Sequence, residues 1–370
     1  MTESQFSQFS HSGNFRPANG NAWHAAWQSP SNIALVKYWG KKEGQLPVNA
    51  SLSMTLDRAF TRTRLDAVVG DAVPGLVSVN GDPGHPFIPK MQHLLDMVTG
   101  EIPLLGKLTF TAETENSFPH STGIASSASG ISAFALCLLD IARQVTDREI
   151  PGKDWMQMVS NASRLGSGSA CRSVYGGFTV WGRTDLLAGS SDAFAVALSG
   201  EVHPAMMSLC DAILIVSSEQ KEVASTQGHR SMDLHPFRQG RVIQANSNLE
   251  ETLRALAAND FEKLGDIAEN EALSLHALLM SASPGVILLK PGTLGIIRIV
   301  RAQRKSGIPL FFTLDAGANV HLLYPRAVAA DVETVIREEL AAFCEEGRVI
   351  YDHCGTGPAL LTVRDENQSG

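Results

Sequence analysis

The sequence lacks the signatures of several common protein classes. Its five cysteines are Cys137, Cys171, Cys210, Cys344 and Cys354. They form no CxxC pair, so we expect reduced thiols rather than a disulfide framework or a zinc site. There is no HExxH motif or other local cluster of metal ligands. No GxGxxG motif follows a predicted strand and no Walker loop occurs, which argues against Rossmann and P-loop nucleotide sites.

Long apolar runs and positive charge are also scarce. No stretch of eighteen apolar residues occurs, so no membrane span is expected. The first 25 residues have no apolar signal-peptide core, which favours a cytoplasmic protein; residues 1–24 are expected to be a flexible tail. With 30 Lys and Arg against 38 Asp and Glu, the net charge is −8. This balance disfavours a nucleic-acid-binding or anionic-membrane surface.

Small polar residues, in contrast, are concentrated in one loop. Residues Asn116–Gly130 contain five serines, one threonine and two glycines, and the apolar segment Ile131–Ile141 follows directly. Glycine allows close approach of the backbone to a ligand, and hydroxyls with exposed N–H groups at a helix start bind anions. We therefore predict a phosphate site at the start of a helix. The alternative is a polar linker before a core helix.

Two further segments place charged side chains where strands are predicted to end. In Ser29–Lys42, Lys37 and Lys41 follow a predicted buried strand and can act as point-charge ligands for phosphate. In Phe311–Asn319, Asp315 ends an apolar strand before a glycine turn and can project into a cleft. The alternatives are a solvated lysine turn and a turn-forming aspartate.

A third segment, Ser163–Ser173, combines small residues, hydroxyls and a guanidinium. Arg172 can clamp a carboxylate or phosphate through paired N–H donors. Cys171 suggests a nucleophile, but no histidine lies near it in sequence, so a small packed residue is the favoured interpretation.

Strand and helix patterns alternate along the chain, with several short connections between strands. This favours α+β layers over a purely parallel sheet. We place a domain boundary at His203–Pro204, which gives an N-terminal domain over residues 25–204 and a C-terminal domain over residues 205–370. Strands are predicted at Ser31–Trp39, Lys107–Thr114, Val174–Trp181, Ala212–Val216, Pro309–Leu314 and, as a hairpin partner of the last, Asn319–Leu323. Helices are predicted at Ile131–Ile141, Asp154–Leu165, Leu249–Leu256, Phe261–Met280, Thr293–Lys305 and Val328–Phe343, with a loop at Gly166–Arg172.

These segments together resemble the diphosphomevalonate decarboxylases, a branch of the superfamily of galactokinase, homoserine kinase, mevalonate kinase and phosphomevalonate kinase. The matching stretches, in the family's order, are Ser31–Lys41, Pro119–Gly130, Gly166–Ser173 with Gly176–Phe178, Ser225–Gly228 and Asp315–Asn319. The Pro-x3-Gly-x2-Ser-Ser loop alone indicates only the superfamily. Lys-Tyr-Trp-Gly-Lys together with Gly-Ser-Gly-Ser-Ala-Cys-Arg-Ser points to the decarboxylase branch.

The resemblance implies a two-layer α/β fold. Its N-terminal half would be of the ribosomal-protein-S5-domain-2 type, its C-terminal half would be ferredoxin-like, and a deep active-site cleft would lie between them. It implies a homodimer that uses ATP and Mg2+ to convert mevalonate 5-diphosphate into isopentenyl diphosphate, CO2, ADP and phosphate. The tertiary hydroxyl would first be phosphorylated, which turns a poor leaving group into a good one.

The resemblance also implies roles for individual residues. The catalytic residues would be Asp315, Lys37 and Arg172. The substrate-binding residues would be Tyr38, Lys41, Ser167, Ser169, Arg172, Ser225 and Thr226. The nucleotide-binding residues would be Pro119, Ser121, Gly123, Ala125, Ser126 and Ser127, with Ser127 as a ligand of the Mg2+ of Mg-ATP.

Three positions depart from or vary within the family pattern. His120 and Thr122 stand where many relatives have Thr and Ala, and His229 stands where many have Met. Alternatives within the same class are a decarboxylase of 5-phosphomevalonate and a 3-kinase that stops before decarboxylation. From a different class, the chain could be a non-catalytic paralogue that binds nucleotide or metabolite.

Overall fold

Two β-sheets with helices packed on them form the protein in a computed structural model, which describes Phe6, Phe9 and residues 22–69, 75–118, 126–219 and 231–362. The first sheet has seven strands: β1 (Ala22–Val36), β2 (Ser51–Val68), β3 (Gly75–Val79), β4 (Thr109–Asn116), β5 (Phe178–Trp181), β6 (Ala195–Ala197) and β11 (Ala359–Leu360). The second has four antiparallel strands: β7 (Leu209–Leu214), β8 (Phe311–Thr313), β9 (Val320–Pro325) and β10 (Val349–His353).

Seven α-helices cover these sheets in the described residues: α1 (Ile88–Glu101), α2 (Ser126–Thr146), α3 (Gly152–Gly166), α4 (Arg238–Ala258), α5 (Phe261–Ser281), α6 (Pro291–Lys305) and α7 (Ala329–Val335). Helix α2 is long and apolar enough to cross a membrane by length and composition alone. However, 89% of its most apolar window is buried inside the protein. It is therefore the central core helix of the first half.

The order of strands in the first sheet is β11-β1-β2-β4-β3, and β5 also pairs with β2 and then with β6. The long strand β2 holds this sheet together. Its later part pairs with β4 from Thr61 onward, while its first residues pair with β5. In the second sheet the order is β10-β7-β9-β8. The short last strand β11 returns to the first sheet and pairs with β1.

The core is continuous between the two sheets. One apolar cluster contains Leu35 of β1 and Met54 of β2 together with Ile213 of β7 and Phe311 of β8. Alternate residues of the second sheet, such as Phe312, point to its other face and join a separate apolar cluster under α6. This alternation is what a sheet buried on both faces requires.

A bulge in β2 is held by the second sheet. Pairing with β1 jumps from Pro30↔Phe60 to Asn32↔Thr55, so residues 56–59 leave the ladder. The buried Asp352 of β10 accepts hydrogen bonds from the backbone N–H groups of Asp57 (2.9 Å), Arg58 (2.8 Å) and Ala59 (2.7 Å). One carboxylate therefore satisfies the donors that the bulge exposes and joins the two sheets.

Most of the predicted elements are present with shifted ends. The Pro309–Leu314 and Asn319–Leu323 strands form the expected hairpin as β8 and β9. Strand β1 ends at Val36 rather than at Trp39, and the segment predicted as a loop at Gly166–Arg172 forms the end of α3 and a 3-10 turn over Gly168–Val174. The Val328–Phe343 helix is wrong in its second half, because α7 passes into π and 3-10 turns after Val335. The boundary at His203–Pro204 stays a prediction.

Asp352→Ala should lower the free energy of unfolding by about 1–3 kcal/mol, because it leaves the buried N–H of Ala59 and the partly buried N–H groups of Asp57 and Arg58 without an acceptor. Chemical denaturation measures this change. Asp185→Ala removes an exposed carboxylate and serves as the matched control, expected within about 0.5 kcal/mol of the parent. Equal stability of the two variants would refute the structural role given to Asp352.

Candidate functional site

Lys37 is the first residue after β1 and lies inside the protein. Its side chain is 2% exposed, and its Nζ donates to the carbonyl of Ala34 at 2.6 Å. The chain leaves the strand at Lys37, and three residues later Gly40 adopts a positive φ of +89° that turns the backbone. Burial lowers the pKa of the Lys37 ammonium, and the nearby carboxylates of Asp315 and Glu271 partly oppose this shift.

Asp315 follows β8 and faces Lys37 from the other half of the chain. Its Oδ1 lies 3.4 Å from Lys37 Nζ, and its side chain is 30% exposed. Its main-chain carbonyl accepts from the N–H of Gly317 at 2.7 Å and lies 3.0 Å from Nε2 of His276. Asp315 is therefore held by its backbone while its carboxylate remains accessible.

Arg172 shares this environment from the 3-10 turn over Gly168–Val174 and is 3% exposed. Its Nε donates to Asn32 Oδ1 at 3.2 Å and Ser53 Oγ at 3.0 Å, and its Nη1 donates to Ser51 Oγ at 2.9 Å. These partners are neutral and do not cancel the positive charge of the guanidinium, which can therefore attract an anion. Burial lowers the Arg172 pKa, and Asp315 is among the groups that oppose the shift. The three predicted catalytic residues are thus brought together.

Tyr38 lies beside this group and packs against Trp181. The two rings meet edge to face, with centroids 4.6 Å apart. Gly168 permits this contact, because a Cβ at that position would be 2.8 Å from Trp181 Cη2 and 3.0 Å from Tyr38 Oη. Burial raises the pKa of the Tyr38 hydroxyl, so Tyr38 is a neutral hydrogen-bonding group.

The serines predicted near this turn, Ser167 and Ser169, are half-buried. The carbonyl of Ser169 accepts from Asn32 Nδ2 at 3.4 Å, which links the turn to the environment of Arg172. Cys171 is fully buried, its Sγ lies 3.0 Å from the Gly168 carbonyl, and burial raises its pKa to about 12. It is a packed thiol, as the sequence favoured.

A second cationic group is formed by Lys41 and Lys90. Lys90, in the first turn of α1, donates to Oγ of Ser127 at the start of α2. Burial lowers the Lys90 pKa to about 8, and the positive charge of Lys41 adds to that shift. Burial also lowers the pKa of Lys41. The predicted Ser126 and Ser127 therefore lie at a helix start that is close to ammonium groups, an arrangement that favours anions.

Several predicted residues fall outside the described residues. They are Pro119, His120, Ser121, Thr122, Gly123, Ala125, Ser225, Thr226 and His229. Their roles stay predictions.

Four residues around the site were not predicted: Lys90, Arg241, Glu271 and His276. Glu271 accepts from both Nη1 and Nη2 of Arg241 at 2.6 Å, and its Oε2 also accepts the main-chain N–H of Lys37 at 2.7 Å. The sequence does carry a signal for Glu271. It lies four residues from both Ile267 and Leu275, so a charge stands on the apolar face of a predicted helix.

Both parts of the chain match one family. Residues 29–195 match the Diphosphomevalonate decarboxylase-like N-terminal domain, and residues 212–360 match the Mevalonate 5-diphosphate decarboxylase C-terminal domain. A diphosphomevalonate decarboxylase of Candida albicans is 30% identical over 321 residues, which cover 82% of this chain and 85% of the relative. The chain belongs to the diphosphomevalonate decarboxylase family.

Solved structures support the family assignment. The mevalonate diphosphate decarboxylase from Enterococcus faecalis matches with a TM-score of 0.78 and 28% identity over 92% of this chain and 100% of its own. A structure described as MDDEF in complex with MVAPP, AMPPCP and magnesium has the same identity and coverage, with a TM-score of 0.77. The predicted α+β fold of the diphosphomevalonate decarboxylases is confirmed.

Gly168→Ala should disturb the contact between Tyr38 and Trp181, because the added methyl group overlaps both rings. We expect the free energy of unfolding to fall by about 1–3 kcal/mol and the near-ultraviolet tryptophan signal to change. Gly152→Ala, which adds a methyl group at the start of α3 with no heavy atom within 4 Å, is the control. If both variants keep parental stability and spectra, Gly168 is not required for this packing.

Proposed function

We propose that this chain catalyses the ATP-dependent decarboxylation of mevalonate 5-diphosphate to isopentenyl diphosphate, CO2, ADP and phosphate. The observation that carries the proposal is the pairing of Lys37 Nζ with Asp315 Oδ1 at 3.4 Å, beside the buried Arg172. This arrangement places a proton acceptor next to the Lys37 ammonium, and the charge of the buried Arg172 acts on both groups. Phosphorylation of an alcohol followed by loss of the phosphate needs such a combination.

Asp315 acts first, by orienting the tertiary 3-hydroxyl and accepting its proton while that oxygen bonds to the γ-phosphorus of ATP. The bond between the γ-phosphorus and the oxygen that bridges it to the β-phosphate breaks at the same step, and ADP leaves. Lys37 stabilises the charge on the transferred phosphoryl group. In the second stage the C3–O bond to phosphate and the bond from C2 to the carboxylate carbon break. The electron pair of the broken C–C bond forms the C2=C3 double bond. Lys37 and Arg172 stabilise the departing phosphate.

Arg172 also binds substrate anions in this proposal, together with Tyr38, Lys41, Ser167 and Ser169. Ser225 and Thr226 are proposed for the same role from their place in the family pattern. Arg172 is the strongest of these ligands, because a guanidinium fixed by Ser51, Ser53 and Asn32 presents a rigid set of donors. Lys41 contributes charge without a fixed geometry.

The nucleotide is proposed to bind at the start of α2. Lys90 and Lys41 supply positive charge there, and Ser126 and Ser127 supply hydroxyl groups. Residues Pro119, Ser121, Gly123 and Ala125 complete the proposed nucleotide loop. Lys90 is an addition to the predicted set.

Mg2+ fits this site only as a partner of the nucleotide. The described residues contain no group of three or more acidic, histidine or cysteine side chains able to hold a metal ion. Nucleotide-bound Mg2+ needs only one or two protein ligands, because phosphate and water supply the rest. When bound, the ion would neutralise phosphate charge. Ser127 as its ligand stays a proposal, since its Oγ contacts the Lys90 ammonium.

A reducing, cytoplasmic location and a homodimer are also proposals. All five cysteines are unpaired thiols, which supports a reducing compartment.

Product stoichiometry tests the function. With mevalonate 5-diphosphate and Mg-ATP we expect one CO2 and one phosphate per ADP, with no accumulating 3-phosphorylated product. ADP without CO2 would identify a 3-kinase, and a much faster reaction with mevalonate 5-phosphate would identify the monophosphate decarboxylase. Binding without any turnover would indicate the non-catalytic paralogue. A non-catalytic protein has no need for the Lys37–Asp315 pair.

Asp315→Asn should lower turnover by at least about 10²–10⁴-fold, because the amide keeps the size but cannot accept a proton. Nucleotide affinity should change little, since the proposed phosphate ligands lie on other segments. Turnover assays and fluorescent-nucleotide titration give the two measurements. Near-parental turnover would remove Asp315 from the mechanism.

Nucleotide affinity should fall as the pH rises through about 8. The Lys90 pKa is lowered to about 8, so its ammonium is charged below that pH and neutral above it. Bound phosphate favours the charged form, so the dissociation constant should rise up to about tenfold per pH unit above 8. Lys90→Met should remove this dependence, whereas Lys153→Met, at an exposed position in α3, should retain it. The same pH dependence in both variants would contradict the assignment of Lys90.

A further inference from the structure

Helix α5 contacts the backbone of both residues that form the Lys37–Asp315 pair. Oε2 of Glu271 accepts the main-chain N–H of Lys37 at 2.7 Å. Further along the same helix, Nε2 of His276 lies 3.0 Å from the main-chain carbonyl of Asp315. Glu271 is 0% exposed and His276 is 1% exposed, so both side chains that make these contacts lie inside the protein. One rigid element therefore holds residues that come from the two halves of the chain.

Glu271 is itself fixed by a buried network. Arg241 of α4 donates to both carboxylate oxygens at 2.6 Å, and Asn248 Nδ2 donates to Oε1 at 2.6 Å. Arg241 Nη2 also donates to the main-chain carbonyl of Lys37 at 3.1 Å. The peptide groups on both sides of the Lys37 Cα are therefore bound by a single ion pair. A paired and fully hydrogen-bonded buried charge of this kind has little freedom to move.

His276 constrains Asp315 in a corresponding way. A carbonyl oxygen only accepts hydrogen bonds, so this contact needs the proton of the imidazole on Nε2. The same carbonyl accepts the N–H of Gly317 at 2.7 Å. With two donors on one carbonyl, the turn after β8 keeps a fixed position relative to α5.

We propose that Glu271 and His276 are positioning residues, which set the spacing of the Lys37 ammonium and the Asp315 carboxylate from helix α5. This inference rests on the proposed function of that pair. Reacting groups tolerate little displacement: a shift of about 1 Å can cost about 10²-fold in rate. Residues that fix both backbones should therefore govern turnover more than substrate affinity.

His276 offers the sharper test. His276→Leu removes the donor and should lower kcat by about 10–100-fold, with the KM values for both substrates changed less than about threefold. His276→Gln retains an N–H donor in place of Nε2 and should recover most of that loss. His321→Leu is the control, because His321 is also buried in the C-terminal half but bonds Asp211 at 2.6 Å instead. It should lower thermal stability without lowering kcat per folded molecule.

A double-mutant cycle separates positioning from simple folding. In the Asp315→Asn background, His276→Leu should cost less than about threefold in the residual kcat, because no charged carboxylate remains to be positioned. Multiplicative losses in this cycle would overturn the proposal, and so would parental kcat in His276→Leu. A parent chain with no decarboxylation would overturn the proposed function instead.

Glu271 is tested with two variants of different severity. Glu271→Gln should lower kcat while the KM values hold, but it weakens the partner of the buried Arg241 and can prevent folding. Asn248→Leu keeps the ion pair and removes one donor to Glu271, so it should fold and lower kcat by about 3–10-fold. Parental kcat per folded molecule in both Glu271→Gln and Asn248→Leu would exclude Glu271 from the positioning role.

Discussion

The ion pair between Glu271 and Arg241 is the constraint on which the site depends. Burying two charges is costly, and the cost is offset only when every donor and acceptor of the pair is used. Here the pair meets that condition partly by binding the N–H and the carbonyl of Lys37. The ion pair that joins α4 to α5 therefore also fixes the position of Lys37 after β1. A change in either would leave charge buried without a partner.

A second buried carboxylate and an apolar cluster join the two sheets elsewhere. Asp352 binds the bulge of β2 from β10, and the apolar cluster around Leu35, Met54 and Phe311 fills the space between the sheets. The halves thus meet through a packed core and two buried carboxylates, Asp352 and Glu271. A close-packed protein interior resists deformation. The packing between the two halves therefore helps to fix the 3.4 Å separation of Lys37 Nζ and Asp315 Oδ1.

The sequence predicted the site residues at the ends of strands better than it predicted the buried residues that hold them in place. Lys37, Arg172 and Asp315 stand next to glycine and hydroxyl residues in local patterns that a single segment reveals. Strand β2 was missed because Thr61 and Thr63 stand at buried positions, so that part of the strand reads as a continuous polar run instead of an alternation. His276 and Arg241 act through backbone groups far away in sequence, and no local pattern specifies such a partner.

The buried cations of the site favour the binding of an anionic ligand. Burial lowers the pKa of Lys37, Lys41, Lys90 and Arg172, so the protein alone disfavours the positive charge of all four. Most of the neighbours that hold Arg172 are neutral hydroxyl and amide groups, and Lys41 and Lys90 repel each other. A ligand with several phosphate charges reverses each of these penalties at once. The buried positive charges therefore raise the affinity of the protein for a polyanion. Because such a ligand binds only the folded protein, its binding also raises the free energy of unfolding.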